Sequence, residues 1–178
     1  RNQVMPMVEV SPFASLRQVE AGDLSVGYAE LGPGDGPAVL LLHGWPYDIH
    51  AYAEVAPILA DAGYRVIVPH LRGYGTTRFR KDDAPRNAQQ AALGRDAIEL
   101  LDALGIDRAI LGGFDWGARS ADVVAASWPD RCAGLVSVSG YLIGNQRANA
   151  SPLPPRAELA WWYQFYFATE RGRPRLCQ

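Results

Sequence analysis

The stretch Gly112-Gly113-Phe114-Asp115-Trp116-Gly117 follows an apolar run and precedes a segment of small residues. A residue flanked by glycines between a strand and a helix is typical of a nucleophile elbow, where the central side chain sits on a sharp turn. The central residue is Asp115, and a carboxylate there can attack an alkyl carbon and form an ester. A helix starting at Trp116 would place backbone N–H groups beside the negative charge. The alternative is that Asp115 only caps this helix.

The segments around this turn alternate between apolar strands and amphipathic helices. An antiparallel hairpin is predicted at the N-terminus, with strands over 13–19 and 24–31. Further strands are predicted over 38–42, 64–68, 108–112 and 133–139, and helices over 48–62, 93–104, 117–128 and 158–169. This alternation predicts an α/β fold with a mostly parallel sheet and helices on both faces. Ligands of such sheets bind beyond the carboxyl ends of the strands.

A second motif, His43-Gly44-Trp45-Pro46, stands directly after the apolar run 38–42. An oxyanion hole needs two converging donors, and the backbone N–H groups of Trp45 and Trp116 are the predicted pair. We expect His43 to be a buried turn residue that hydrogen-bonds the backbone, and Pro46 to fix the turn, with a cis peptide bond as one option. Both residues are therefore assigned structural support, together with the glycines Gly44, Gly113 and Gly117.

These motifs resemble the α/β-hydrolase superfamily, in its branch of epoxide hydrolases and haloalkane dehalogenases. His43-Gly44-Trp45-Pro46 is similar to the His-Gly-x-Pro motif of epoxide hydrolases, and Asp115-Trp116-Gly117 to their nucleophile segment. Leu71-Arg72-Gly73-Tyr74-Gly75 is similar to their Arg-Gly-x-Gly turn, in which we expect Arg72 to form a structural salt bridge. The resemblance covers about residues 20–140 and implies an α/β-hydrolase fold. It also implies that Asp115 forms an alkyl ester with an epoxide, which the complete enzyme later hydrolyses to a diol.

The aromatic segment 161–167 resembles the start of the cap of epoxide hydrolases. There, a Tyr followed by Gln points its hydroxyl at the epoxide oxygen, and Tyr163 matches this residue, with Tyr166 as a weaker second candidate. A phenol in that place can donate a proton or a hydrogen bond to the alkoxide that ring opening generates. The alternative is that the aromatic residues form only the apolar face of a cap helix, which we prefer for Trp162 and Phe165.

Some positions depart from the epoxide hydrolase pattern. Phe114 stands where many epoxide hydrolases have His. Trp116 is shared with haloalkane dehalogenases, where it helps to hold the halide, and it differs from the Arg that follows the nucleophile in fluoroacetate-type dehalogenases. Trp45 stands where many dehalogenases have Asn. Epoxide hydrolysis is therefore preferred over a haloalkane dehalogenase-like activity, which remains the alternative beside a catalytically incomplete module that only binds a small molecule.

All three histidines, His43, His50 and His70, precede Asp115. Members of the family supply a general-base His and an orienting acid from later strands, so the resemblance implies that this chain lacks both. We therefore predict residues 1–140 to be the N-terminal portion of the hydrolase core and 141–178 to be a linker with the start of a truncated cap. Such a chain is expected to form the ester on Asp115 and then stall.

Composition excludes several classes of protein. The chain has 178 residues, 17 basic and 19 acidic side chains and no block of like charge, which excludes a nucleic-acid binder. No secretory signal and no apolar run of membrane-spanning length is present. Cys132 and Cys177 give no disulfide or metal framework, so we expect a cytoplasmic protein without metal or cofactor. The predicted partners are a small apolar epoxide or haloalkane and water, with the oligomeric state left open.

Overall fold

The computed structural model describes residues 11–141, 147 and 150–172. The strands are β1 (Arg17–Ala21), β2 (Leu24–Leu31), β3 (Ala38–Leu42), β4 (Arg65–Pro69), β5 (Arg78–Phe79), β6 (Ala109–Phe114) and β7 (Cys132–Val138). The helices are α1 (Val55–Asp61), α2 (Gln90–Ala103), α3 (Trp116–Ser127), α4 (Pro155–Ala160) and α5 (Trp162–Ala168), with 3₁₀ turns at Ile49–Tyr52 and Pro129–Arg131.

Within the described residues, seven strands form one mixed sheet in the order β1-β2-β4-β3-β6-β7, with β5 paired to β2. The strands β4, β3, β6 and β7 run parallel to one another, whereas β2 is antiparallel to β1, β4 and β5. This confirms the predicted fold class, including the N-terminal hairpin. The parallel order places the carboxyl ends of β3 and β6 side by side, which brings the two predicted motifs together.

Helices cover the sheet on both faces, and the central strand β3 is apolar at every position. On β3, Leu40 and Leu42 pack with side chains of α2 and α3, whereas Val39 and Leu41 pack with α1. Successive side chains of a strand point to opposite faces, so a continuous apolar run has to be buried on both. β7 ends the described sheet order, and its Val136 and Val138 are 60% and 53% exposed.

The helix predicted over 48–62 is wrong in extent, since a 3₁₀ turn and the shorter α1 occupy this range. Asp48 caps the 3₁₀ turn, and its carboxylate accepts the N–H of His50 at 2.9 Å. Pro57 lies in the first turn of α1, where its missing N–H is tolerated. A helix that started earlier would bring the Pro57 ring against the carbonyl of Ala53, which explains the break.

Other predicted elements also differ from the structure. The first strand covers Arg17–Ala21 instead of 13–19, because Phe13 is buried against the His50 ring outside the sheet. The two-residue strand β5, between β4 and α2, was not predicted. The predicted helix over 158–169 is divided at Trp161 into α4 and α5.

The chain divides into two compact units, Arg1–Leu142 and Ile143–Gln178. The predicted assignment of 1–140 to the core and 141–178 to a linker and cap stays a prediction. Within the predicted linker and cap, residues 142–146, 148, 149 and 173–178 lie outside the described residues. None of the helices in the described part of the chain has the length and apolar character needed to cross a membrane.

Candidate active site

Asp115 occupies the turn between the last residue of β6 and the first residue of α3. Its backbone has φ 51° and ψ −118°, and a side chain in this positive-φ region is strained by about 1–3 kcal/mol. The turn is held on both sides, because Asp115 N donates to Val138 O at 3.0 Å and Arg119 N donates to Asp115 O at 3.0 Å. The expected strand-turn-helix geometry is present, and it presents the carboxylate at the carboxyl end of the sheet.

Two glycines allow α3 to pass close to the strands at this turn. A Cβ on Gly117 would lie 1.9 Å from Leu42 O, and a Cβ on Gly113 would lie 2.5 Å from the carbonyl carbon of Gly117. Both distances are far shorter than any real contact, and both neighbours are backbone atoms. A side chain at Gly113 or Gly117 would therefore clash with the backbone, and the supporting role that we assigned to both stays a prediction.

The loop after β3 supplies the hydrogen bond that holds the Asp115 carboxylate. The backbone N–H of Trp45 donates to Asp115 Oδ2 at 2.9 Å. Gly44 permits this approach, since a Cβ there would lie 2.7 Å from the Cβ of Asp115. The Trp45–Pro46 peptide bond is cis. The structure thus brings Gly44, Trp45 and Asp115 together from the ends of two adjacent parallel strands.

The Trp45 N–H is well placed for the predicted oxyanion hole. If Asp115 Oδ1 forms an ester, Oδ2 becomes the ester carbonyl oxygen, and this oxygen carries the negative charge of the tetrahedral intermediate during hydrolysis. Trp116 is the first residue of α3, where N–H groups have no partner within the helix. Its part in the oxyanion hole stays a prediction.

His43 is fully buried beneath the site. Its Nε2 accepts the N–H of Leu71 at 3.1 Å, so the ring proton lies on Nδ1, which donates to Gly44 O at 3.1 Å. Burial lowers the pKa of His43, with the hydrogen bond to Gly44 opposing that shift. Both ring nitrogens of His43 are therefore used in hydrogen bonds to the backbone, and its supporting role stays a prediction.

A second buried histidine lies near His43. The His70 ring centroid is 6.4 Å from that of His43, and burial lowers the pKa of His70 as well. Its Nδ1 has no hydrogen-bond partner among the described residues. In the described ranges, no group of three or more His, Cys, Asp or Glu side chains is arranged to hold a metal ion.

Arg119, which was not among the predicted site residues, lies one helical turn after Asp115. Arg119 Nη2 is 3.9 Å from Asp115 Oδ1, and the Arg119 side chain is only 16% exposed against 32% for Asp115. Its guanidinium carbon lies 4.4 Å from the ring centroid of Trp116 and 4.3 Å from that of Tyr141. The i, i+4 spacing from the predicted nucleophile is the sequence signal that could have identified Arg119.

An apolar wall stands on the α1 side of the sheet. Phe114 makes edge-to-face contacts with Tyr47 and Tyr52, at centroid distances of 5.8 Å and 5.7 Å. Tyr52 donates its hydroxyl to Leu42 O at 2.8 Å, and burial strongly raises its pKa. Phe114 and Tyr52 also line an open, apolar cavity of about 520 Å³ that extends along β3, β6 and β7. Phe114, the residue before Asp115, thus contributes an apolar surface.

The predicted proton donor Tyr163 lies in α5 and is half-buried within the second unit. Tyr166, the weaker candidate, contacts the rings of Trp162 and Phe167 in the same unit. Trp162 and Phe165 are exposed. Because these residues belong to a separate unit from Asp115, the role of Tyr163 stays a prediction.

The expected structural salt bridge of Arg72 is confirmed. Arg72 binds Asp96 through two hydrogen bonds of 2.6 Å, and its Nη1 also donates to the carbonyl oxygen of Asn87 at 2.9 Å. Burial raises the pKa of Asp96, with the Arg72 hydrogen bond opposing that shift, whereas the same hydrogen bond raises the pKa of Arg72. Arg72 therefore ties the loop after β4 to α2.

Comparison with known proteins gives matches over most of the chain. The model of the alpha/beta hydrolase fold family matches residues 37–173. Epoxide hydrolase B of Mycobacterium tuberculosis is 37% identical over 150 residues, which cover 77% of this chain and 41% of that protein. A fluoroacetate dehalogenase of a Burkholderia species is 40% identical over 121 residues, which cover 67% of this chain and 38% of that protein.

One solved structure is similar to this chain in both fold and sequence. It is a Klebsiella pneumoniae protein whose assignment as an epoxide hydrolase is provisional, with a TM-score of 0.86 and 62% identity. The match covers 92% of this chain and 54% of the Klebsiella chain. The chain therefore spans about half the length of this structure and less than half of the two relatives above.

Proposed function

Because the chain belongs to the α/β-hydrolase fold family, in its epoxide hydrolase branch, we propose that it acts on small apolar epoxides through an ester on Asp115. The observation that carries this proposal is the Asp115 carboxylate, held at a strained strand-to-helix turn by the Trp45 N–H. Phe114 and Tyr52 line an apolar cavity, and an apolar lining suits an uncharged substrate.

The first step of the proposed reaction is a displacement. Asp115 Oδ1 forms a C–O bond with an epoxide carbon, and the bond from that carbon to the epoxide oxygen breaks. The electron pair of the broken bond stays on the epoxide oxygen, which takes a proton from the Tyr163 hydroxyl. Asp115 Oδ2 becomes the ester carbonyl oxygen and keeps the hydrogen bond from the Trp45 N–H.

The second step, hydrolysis of the ester to the diol, belongs to the whole protein in this proposal. Water attacks the ester carbonyl carbon, and the N–H groups of Trp45 and Trp116 stabilise the oxyanion on Oδ2. This step needs a general base, and no His follows Asp115 among the 178 residues. The 178-residue chain is therefore expected to accumulate the ester.

The test is intact-mass measurement of the 178-residue chain after incubation with styrene oxide. One added mass of epoxide, mapped to Asp115 by peptide analysis and absent from the Asp115→Asn variant, supports the proposal. Tyr163→Phe should slow adduct formation because the alkoxide loses its donor. Tyr166→Phe tests the weaker candidate, and a slowing there with Tyr163→Phe unaffected would assign the proton to Tyr166. A chain that gives no adduct at Asp115 contradicts the proposal, and sustained diol production contradicts the expected accumulation of the ester.

Displacement of halide is the second candidate, since the same carboxylate attack would release a halide ion. The 40% identity to a fluoroacetate dehalogenase supports this candidate, whereas Trp116 does not discriminate between the two activities. Halide release from a haloalkane without adduct formation from styrene oxide would support this candidate. Reversible binding of both compounds without any covalent adduct would support the third one, a small-molecule binding module.

The proposal keeps a cytoplasmic location and includes no metal, cofactor, nucleic acid or membrane partner. Its support is the low net charge, with basic and acidic residues both present in similar number, and the wide separation of the two cysteines in sequence. The proposed partners are the small apolar epoxide and water.

A further inference from the structure

Arg119 has no anionic partner other than Asp115 among the described residues. Its side chain is largely buried, and its Nε forms no hydrogen bond within the described part of the chain. A buried guanidinium normally satisfies its N–H groups with carboxylates or carbonyls, as Arg72 does with Asp96 and Asn87. The position of Arg119 next to Asp115 therefore needs an explanation other than ordinary pairing.

Aromatic rings hold the Arg119 guanidinium in place. Trp116 and Tyr141 approach its central carbon within 4.4 Å and 4.3 Å, the distances of cation–π contacts. Helical side chains lean toward the N-terminus of their helix, so Arg119 extends back toward Asp115. The cation is thus fixed beside the carboxylate by packing, without a hydrogen bond to it.

The two oxygens of Asp115 are consequently in different environments. Oδ2 accepts the Trp45 N–H at 2.9 Å, whereas Oδ1 faces Arg119 Nη2 at 3.9 Å, which is too long for a hydrogen bond. A direct hydrogen bond to Oδ1 would occupy a lone pair that a nucleophile needs. At 3.9 Å the guanidinium attracts Oδ1 and fixes the rotation of the carboxylate while the lone pair stays available.

We propose that Arg119 is a positioning residue that, together with the Trp45 N–H, orients the Asp115 carboxylate so that Oδ1 attacks and Oδ2 remains in the oxyanion hole. This inference rests on the proposed function of Asp115 as nucleophile. Arg119 does not touch the reacting carbon and supplies no proton. Its loss should therefore reduce the rate of bond formation and leave the binding of an uncharged epoxide unchanged.

The kinetic test measures alkylation of Asp115 by styrene oxide at several concentrations, with intact mass as the readout. Arg119→Gln should lower the maximal alkylation rate by about tenfold or more, with the half-saturating epoxide concentration unchanged. Arg119→Lys, which keeps the charge, should recover the rate to within about threefold of the parent chain. Arg86→Gln is the matched control, because Arg86 also stacks on an aromatic ring, that of Phe79.

Two kinetic results would overturn the proposal. Alkylation of the Arg119→Gln variant at the parent rate would show that Arg119 does not position the carboxylate. A higher half-saturating concentration with an unchanged maximal rate would show that Arg119 binds the substrate instead. A thermal melt of each variant shows whether a loss of alkylation rate comes from a damaged fold. If Arg119→Gln is destabilised, the alkylation rate of Arg119→Lys decides whether the charge at this position is needed.

An NMR measurement separates this proposal from the proposed function. The Trp45 amide proton resonance reports its hydrogen bond to Asp115 Oδ2, and Asp115→Ala gives the resonance without that acceptor. In Arg119→Gln the resonance should move toward the Asp115→Ala position, and in Arg86→Gln it should stay. If the parent chain gives no epoxide adduct, the proposed function fails, and an unmoved Trp45 resonance in Arg119→Gln would still overturn the positioning role by itself.

Discussion

The backbone N–H of Trp45 donates a hydrogen bond to Asp115 Oδ2 at 2.9 Å, across 70 residues of sequence. The contact exists because β3 and β6 are adjacent and parallel, so the loop after one strand reaches the turn after the other. It also requires Gly44, which leaves room for the Asp115 side chain. The candidate site is therefore formed where the carboxyl ends of β3 and β6 lie side by side. Substitutions in the turn at Asp115 and in the residues packed against it can test this arrangement.

The strain at Asp115 predicts an inverted order of stability for two substitutions. Asp115→Gly and Asp115→Ala both remove the carboxylate, but only glycine accepts φ 51° without strain. We expect Asp115→Gly to be more stable than Asp115→Ala by about 1 kcal/mol or more, measured by urea unfolding. At Ala109, the first residue of β6, replacement by Gly should instead lower the free energy of unfolding. Equal stability of the Gly and Ala variants would contradict the strained turn.

Gly117→Ala tests the close passage of α3 over β3. The added methyl group would lie 1.9 Å from Leu42 O, so the backbone has to move, and we expect a loss of about 3 kcal/mol in the free energy of unfolding. On an open helix the same change would be stabilising by about 1 kcal/mol. Gly134→Ala is the control, since its Cβ would make an ordinary 3.8 Å contact with Ile110. A stable Gly117→Ala chain would disprove the close packing.

The Arg72–Asp96 pair should couple strongly in a double-mutant cycle. Their side chains are 10% and 14% exposed, so removing one partner leaves the other charge buried, and Asp96→Asn should destabilise the chain by about 3 kcal/mol. Arg72→Gln in that background should add much less than it does alone. The Arg80–Glu20 pair, whose side chains are 42% and 70% exposed, serves as the comparison and should show no measurable coupling. Additive losses at Arg72 and Asp96 would argue against their pairing.

The buried histidines predict lower stability in acid. Burial lowers the pKa values of His43 and His70 in the folded chain, so below about pH 6.5 the unfolded chain binds protons that the folded chain does not. The free energy of unfolding should therefore fall as the pH drops from about 6.5 toward the lowered folded-state values, by up to about 1.4 kcal/mol per pH unit for each histidine.

Urea unfolding between pH 5 and 8 measures this slope. The double variant His43→Asn and His70→Asn should have a smaller slope than the parent chain, whatever its absolute stability. His50→Asn is the control, because the His50 side chain is exposed. A slope that persists after both buried histidines are removed would assign the acid sensitivity to other groups.

The sequence predicted the sheet well because its evidence is local. Ala38 to Leu42 is apolar at each position, and such a run has to be a strand buried on both faces. The helix over 48–62 was predicted less well, since side-chain periodicity carries no information about the clash between the Pro57 ring and an earlier carbonyl. The first strand was misplaced for a related reason, because Phe13 is apolar but is buried by a ring contact outside the sheet.

For the site, the sequence by itself determined the chemical groups. Glycines on both sides of Asp115 and the motif after residue 42 indicate a carboxylate at a strand-to-helix turn with backbone donors nearby, because glycine spacing reflects local steric demands. Only the tertiary structure decided that the Trp45 N–H reaches Oδ2 and that Arg119 faces Oδ1. These distances depend on how β3, β6 and α3 pack against one another. Contacts of that kind leave no local pattern in the sequence.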